Sequence, residues 1–290
     1  MSTGYSLFVI FGTLGSLLAF ALILWLNRNV NNPGKTTGHV YDGIEEYDNP
    51  MPAWWFWGFM LSIVFALGYL IYYPGLGNFP GLSGWTQIGQ LEEQQAEAEA
   101  LYGPVFAQYR DMPIDELAEH QAAMRMGRRL FLNHCSQCHG TAGTGSRGYP
   151  NLTDDHWQWG GEAEQIRTTI SDGRQASMPP WLGQLREDGI MQVTEYVLQL
   201  AGREVEERIA NAGRSQYEQY CAACHGASGT GQVALGAPDL TDDVWLYGGN
   251  REAIASVIRD GREGEMPAFE RRLGEDRVHI LSAYVRSLTH

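Results

Sequence analysis

Cys135-Ser136-Gln137-Cys138-His139 and Cys221-Ala222-Ala223-Cys224-His225 are two copies of one pattern, Cys-x-x-Cys-His, and together they use all four cysteines of the chain. The two thiols of such a motif can each bond a vinyl group of one porphyrin, and the adjacent imidazole can offer a nitrogen to its iron. Two covalently attached c-type haems are therefore expected. Zinc sites and thiol redox couples also use Cys-x-x-Cys, but neither requires a histidine directly after the second cysteine.

The motifs sit in an internal repeat, sought before any fold is named. Gly127 to about Leu200 lies over Gly213 to about Leu288, with a two-residue insertion between Gly231 and Pro238. Gly127, Phe131, Pro150, Trp157, Arg174, Met178 and Tyr196 meet Gly213, Tyr217, Pro238, Trp245, Arg262, Met266 and Tyr284. Two small cytochrome c domains follow, 121–203 and 207–290.

A ligand needed in both repeats should appear in both. His134 meets Tyr220, His156 meets Val244 and His279 meets Met191, so these drop out; His39, His120 and His290 lie outside the match and read as surface or packing residues. Met178 and Met266 recur, each followed by proline in a loop between helical segments. A thioether is a soft ligand suited to haem iron, whereas Met124, Met126 and Met191 lie within helical patterns and read as core filler. The expected axial ligands are His139, Met178, His225 and Met266. Spacing leaves open which haem each methionine serves, and the reading adopted is that of its own repeat.

An iron with both axial positions taken has no vacancy for oxygen or peroxide, so the domains should pass electrons and catalyse nothing themselves. Each repeat is short for an apolar core, which makes the porphyrin a plausible part of the buried surface. Helices are expected to bracket each cofactor, closing over roughly 187–200 and 275–288, with Gly127 and Gly213 letting each opening helix approach its closing partner. The carbonyls of Pro150 and Pro238 are candidate acceptors for the second imidazole N–H. Arg174 and Arg262, each in Asp-Gly-Arg, are candidate propionate contacts. Trp157 and Trp245 read as packing at the haem edge.

Upstream, Tyr5 to Leu26 and Ala53 to Tyr73 are uncharged, largely apolar and about the 20 residues that span a bilayer. Trp54, Trp55 and Trp57 at one end of the second, and Tyr69, Tyr72 and Tyr73 at the other, suit the interfaces. The first stretch has no basic residue before it and no clear cleavage site after it, so it reads as an anchor and not a signal peptide. The fold class is all-α, two N-terminal transmembrane helices followed by two tandem cytochrome c domains. Arg28 and Lys35 assign the loop 30–52 to the cytoplasm and everything after Tyr73 to the far side, which places the chain in a bacterial inner membrane with periplasmic haem domains. Residues 74–120 read as a periplasmic linker containing an acidic helix near Gln90 to Tyr102.

Setting aside Arg28, Lys35, Asp42, Glu45, Glu46 and Asp48 from the chain's 20 basic and 34 acidic residues leaves 18 and 30 in residues 74–290. That excess argues against nucleic acid as a partner and suits either solubility or the steering of a cationic donor.

The loop Thr37-Gly38-His39-Val40-Tyr41-Asp42-Gly43-Ile44-Glu45-Glu46-Tyr47-Asp48-Asn49-Pro50-Met51-Pro52, leading into Ala53-Trp54-Trp55, reads by composition as an acidic, turn-prone connection. It closely resembles the loop before the membrane anchor in the CcoP (FixP) family, the dihaem subunits of cbb3-type cytochrome c oxidase. The resemblance extends over the anchor, the linker and both haem domains. It implies a conductor that takes electrons from periplasmic donor cytochromes and relays them, with a monohaem subunit, to a haem–copper subunit that reduces oxygen to water with proton pumping. Cys135, Cys138, His139 and Met178 match the family's first haem site, and Cys221, Cys224, His225 and Met266 its second. Many relatives have a single anchor, so the first helix is an addition without an assigned purpose. The competing reading is a free-standing membrane-anchored dihaem shuttle; a haem sensor or peroxidase would need an open or displaceable ligand.

Overall fold

The computed structural model describes residues 1–29 and 34–289, so His290 lies outside the described residues. The chain divides into two units, 1–101 and 102–290.

In the first unit α1 (Thr3–Leu26) begins where the Ser2 hydroxyl accepts the Tyr5 N–H at 3.4 Å and ends at Asn27, whose side-chain amide donates to the Ile23 carbonyl at 2.8 Å. The span carries no charged side chain, and its helical backbone groups are paired internally, as a lipid environment demands. The intervening connection is not only turns. β1 (Thr36–Tyr41) and β2 (Ile44–Tyr47) form an antiparallel hairpin. Asp42 and Gly43 make its two-residue turn at φ 49° and 84°, the left-handed pair that an Asp-Gly hairpin turn requires. α2 (Ala53–Tyr72) follows. α1 and α2 have mean hydropathies of 2.5 and 1.7 and are both long and apolar enough to cross a membrane. The Asn78 backbone N–H donates to Ser6 Oγ at 2.8 Å, tying the turns after α2 to the start of α1. α3 (Gln87–Ala107) is longer than expected, acidic and unburied along its length.

In the second unit α4 (Ile114–Ala118) precedes α5 (Gln121–His134), the one-turn α6 (Ser136–His139), α7 (Ala163–Asp172), β3 (Arg174–Met178) and α8 (Leu182–Leu200). The second repeat reproduces this series as α9 (Glu207–Tyr220), α10 (Ala222–His225), α11 (Arg251–Asp260), β4 (Arg262–Met266), α12 (Glu270–Leu273) and α13 (Glu275–Arg286). Residues 102–118, expected as linker, are folded: Tyr109, Ile114 and Leu117 are buried against Ala123, Ile280 and Ala283, because their apolar side chains cap one side of α13.

The two repeats do not close on themselves. α8 packs on α9 and α11, while α13 packs on α5 and α7. Gly127 and Gly213 do admit a closing helix, but it is the other repeat's: a Cβ at 127 would lie 2.5 Å from Tyr284 Cβ, and one at 213 would run into the Gln192 backbone. β3 and β4 form an antiparallel ribbon across the exchange, with Arg174 opposite Met266 and Met178 opposite Arg262. Inter-repeat ion pairs Arg259–Glu187, Arg251–Glu195 and Arg167–Glu275 line the same junctions.

Candidate haem sites

Each cysteine motif forms a single helical turn. In the first, the His139 N–H donates to the Cys135 carbonyl at 3.0 Å and the Gly140 N–H to that of Ser136 at 2.9 Å; in the second, His225 donates to Cys221 and Gly226 to Ala222 at the same distances. This winding places two thiols and an imidazole on one short stretch of backbone. Gly145 and Gly231, at φ 68° and 74°, then bring the chain back beneath the imidazole. A Cβ at 145 would lie 2.7 Å from the Pro150 carbonyl carbon, and one at 231 the same distance from that of Pro238; only glycine permits so close an approach. The result is the expected contact: His139 Nδ1 lies 3.0 Å from the Pro150 carbonyl oxygen, and His225 Nδ1 3.0 Å from that of Pro238. An N–H donated there fixes the tautomer and leaves Nε2 as the available ligand atom.

Burial lowers the pKa of both imidazoles, with the proline carbonyl opposing it, so they are neutral near physiological pH, the form that ligates metal. Burial also pushes the Cys135 and Cys221 thiols up to about 11, the neighbouring Cys138 and Cys224 adding to the effect. A thiol redox couple works through a lowered pKa, and these are raised. No three His, Cys, Asp or Glu side chains converge as a metal cluster among the described residues, so the surroundings do not complete a zinc site.

Two apolar cores surround the motifs. Phe131, Cys135, Leu152, Trp157, Ile166 and Ile170 contribute to one, and Tyr217, Cys221, Leu240, Trp245, Ile254 and Ile258 to the other. Most of the rest of each core comes from the opposite repeat. Met266 packs into the core of Cys135, and Met178 into that of Cys221. Each methionine thus packs beside the other repeat's motif, because the ribbon strands and the closing helices α8 and α13 are exchanged between the repeats.

A haem fits these cores. Trp245 Nε1 is buried within the second one with no hydrogen-bond partner among the described residues, an orphan donor that an incoming carboxylate would satisfy. Arg174 donates from Nε to Thr169 Oγ1 at 3.0 Å and lies 5.0 Å from the Trp159 ring centre, while Arg262 donates to Ser256 Oγ at 2.8 Å and to the Gly261 carbonyl at 2.6 Å, 5.4 Å from the Tyr247 ring. Trp159 and Tyr247 were not singled out from sequence, although they occupy matched positions two residues beyond Trp157 and Trp245.

Several of the rejected side chains have other partners. His279 Nε2 lies 2.8 Å from the Met112 carbonyl, His120 caps α5 through Ala123, and His156 sits 3.8 Å from Asp242. His39 stacks beside Tyr41; His134 Nδ1 is buried with no partner among the described residues, and burial, with Arg272 nearby, lowers its pKa. Met124 and Met126 pack against the α4–α13 core, as expected of filler, whereas Met191 is 56% exposed and fills no core.

Two apolar spans followed by paired Cys-x-x-Cys-His cores define a membrane-associated tandem c-type cytochrome. Residues 33–80 match the family described as the N-terminal domain of cytochrome oxidase-cbb3, FixP, and residues 122–197 and 208–285 match cytochrome c oxidase, cbb3-type, subunit III. The chain is 40% identical to the cbb3-type cytochrome c oxidase subunit CcoP of Rubrivivax gelatinosus over 99% of its own length and 96% of that protein. It is 40% identical to CcoP of Cereibacter sphaeroides, covering 88% of this chain and 96% of the relative, and 35% identical to subunit FixP of Azorhizobium caulinodans, covering 87% and 92%. The chain belongs to the CcoP/FixP family, the cytochrome c electron-transfer subunits of cbb3-type cytochrome c oxidase. α1 precedes the matched FixP segment, yet the match to the Rubrivivax gelatinosus protein is long enough to take it in.

Proposed function

We propose that the chain carries two haems, one bonded to Cys135 and Cys138 and one to Cys221 and Cys224, with His139, His225, Met178 and Met266 as axial ligands and Arg174 and Arg262 holding propionates. Bound haem supplies a one-electron couple whose potential the thioether raises. The protein's own part is to fix each imidazole through its proline carbonyl, exclude water with the surrounding apolar side chains and fill both axial positions. Such sites conduct electrons and do not reduce oxygen. The haem domains lie on the periplasmic side, where they receive electrons from donor cytochromes and pass them, with a monohaem subunit, to the haem–copper subunit that reduces oxygen and pumps protons. The orientation rests on Arg28 and Lys35 between the spans.

The observation that carries this reading is the duplicated motif with each imidazole bonded at 3.0 Å to its proline carbonyl. Purification in mild detergent tests it. Oxygen-reducing activity and haem b that co-purify with this chain support the assignment; a lone dihaem chain, active as a donor to several enzymes, would support a free-standing shuttle instead.

A further inference from the structure

We infer, on the reading that both motifs carry haem, that each repeat steadies the iron-binding imidazole of the other. Gln158 and Trp159 position His225 through the loop that carries Pro238, and Tyr247 positions His139 through the loop that carries Pro150. The first of these contacts is the firmer.

The loop of the second repeat is pinned at its base. Gln232 and Ala237 exchange backbone bonds at 2.9 and 3.1 Å, and the Gln232 side-chain amide donates to the Ala223 carbonyl, within the cysteine motif, at 2.9 Å. Its tip is held from the first repeat. Gln158 donates its side-chain amide to the Gly236 carbonyl, and the Trp159 ring lies so close over Gly236 that a Cβ there would run into it. Gly236 is buried although Gln232 to Leu235 before it are exposed. It stands two residues before Pro238, whose carbonyl oxygen is 3.0 Å from His225 Nδ1.

The reciprocal contact uses matched positions. Gly148, two residues before Pro150, donates its N–H to the carbonyl of Leu246, the counterpart of Gln158, at 2.8 Å. Tyr247, the counterpart of Trp159, lies beside it, 3.6 Å from where a Cβ at 148 would stand. Each aromatic ring is in turn covered by an arginine of its own repeat, Trp159 by Arg174 and Tyr247 by Arg262. The two directions differ in tightness. A Cβ at 148 would only touch Tyr247, whereas one at 236 would overlap Trp159. The two-residue insertion of the second repeat accounts for the difference, since it adds a 3₁₀ turn over Val233–Leu235 that brings Gly236 under the tryptophan.

A firmly accepted Nδ1–H makes the imidazole a more basic ligand, and a more basic ligand lowers the haem potential. Loosening the tip of the 231–238 loop should therefore raise the potential of the haem on Cys221 and Cys224, although the altered residue belongs to the first repeat. Gln158 and Trp159 are positioning residues in this sense. They act on the iron through Gly236 and Pro238.

The test uses the full-length chain, matured with haem and purified in detergent. Cys138→Ala leaves the first haem with one thioether and an unreacted vinyl group, which moves its α-band to longer wavelength and labels it. Gln158→Ala and Trp159→Leu are then made in this background, and redox titrations are followed at both α-bands. Both substitutions should raise the midpoint of the unlabelled haem, and Trp159→Phe, which keeps a ring over Gly236, should restore most of the shift. Gln158→Ala leaves the Trp159–Arg174 contact in place and should not move the labelled haem. A shift confined to the labelled haem, or none at the unlabelled one, would overturn the inference while leaving the electron-transfer reading intact; a chain without haem would instead fail that reading. Hydrogen exchange measured by mass spectrometry gives an independent readout. Peptides covering residues 231–238 should exchange several-fold faster in Trp159→Leu, with those covering 145–150 unchanged. Faster exchange with an unmoved midpoint would show a clamp that does not position His225, and would also overturn it. Tyr247→Leu should raise the labelled haem's midpoint by less than Trp159→Leu raises the other; an equal or larger rise would contradict the difference in tightness.

Discussion

Replacing Gly127 by alanine should destabilise the protein, although glycine to alanine in a helix interior ordinarily stabilises by about 0.5–1 kcal/mol. A Cβ at 127 would stand 2.5 Å from Tyr284 Cβ and 3.2 Å from the Ile280 carbonyl oxygen, whereas carbon atoms pack comfortably at about 3.5–4.0 Å. α5 and α13 must then part by about 1 Å. Overpacking of this kind costs about 1–3 kcal/mol, which leaves a net loss of about 0.5–2 kcal/mol after the gain in helix propensity. Gly183→Ala, on α8 with nothing within 4 Å of the added Cβ, is the control and should be neutral or slightly stabilising. Urea titration of the detergent-solubilised chain, followed at the Soret band, measures both. A double-mutant cycle identifies the partner helix: Gly127→Ala should couple to Tyr284→Gly, which removes the opposing Cβ, by more than about 0.5 kcal/mol and add independently with Tyr196→Gly, the matched residue of its own repeat. Coupling to Tyr196 with none to Tyr284 would refute the exchanged packing.

Other perturbations follow from single residues. Arg186 interrupts α8 at φ 57° and ψ 174°, where the matched residue of the second repeat is Gly274 at φ 81° and ψ 158°; Arg186→Gly should raise the urea midpoint by relieving about 1 kcal/mol of backbone strain, and a lowered midpoint would count against that strain. The Arg251 guanidinium holds the Glu195 carboxyl below the usual carboxylate range. Its contribution is therefore complete above the unfolded carboxylate pKa and lost as pH falls through the folded value, so Glu195→Gln should cost about 1–3 kcal/mol near neutral pH, with the gap to the unmodified chain closing on acidification. A gap independent of pH would contradict the sign. Trp245→Phe keeps the ring's bulk but removes the buried Nε1 donor; it should shift the potential of the haem on Cys221 and Cys224, and an unchanged redox titration would show that the donor has no haem acceptor.

Much of the site was legible because its chemistry is local. Cys-x-x-Cys-His winds one helical turn, and Gly145 and Gly231 return the chain to Pro150 and Pro238 within a few residues, so the matched prolines could be offered as candidate imidazole acceptors. The spans were equally plain from uninterrupted apolar composition. The exchange of halves was not, because its contact residues are themselves repeated. Gly127 meets Tyr284, and Tyr196 occupies the matched position in α8, so a sequence comparison cannot choose between the two closing helices. One signal was present: α8 and α9 are separated only by residues 201–206, and a connection that short makes consecutive helices neighbours. The hairpin at Asp42-Gly43 was also readable, since Val40, Tyr41 and Ile44 flank a two-residue turn of the favoured type. Residues 102–118 were harder, as Tyr109, Ile114 and Leu117 are too few to show a helical period and are buried only because α13 lies beside them.

The most direct measurement is the haem content of the purified chain joined to a carbon monoxide titration of its ferrous form. The account predicts two thioether-bound haems per polypeptide and negligible carbon monoxide binding at either iron. A chain holding fewer, or one whose haems bind carbon monoxide rapidly and stoichiometrically, would contradict closed axial ligation and with it the role of a conductor.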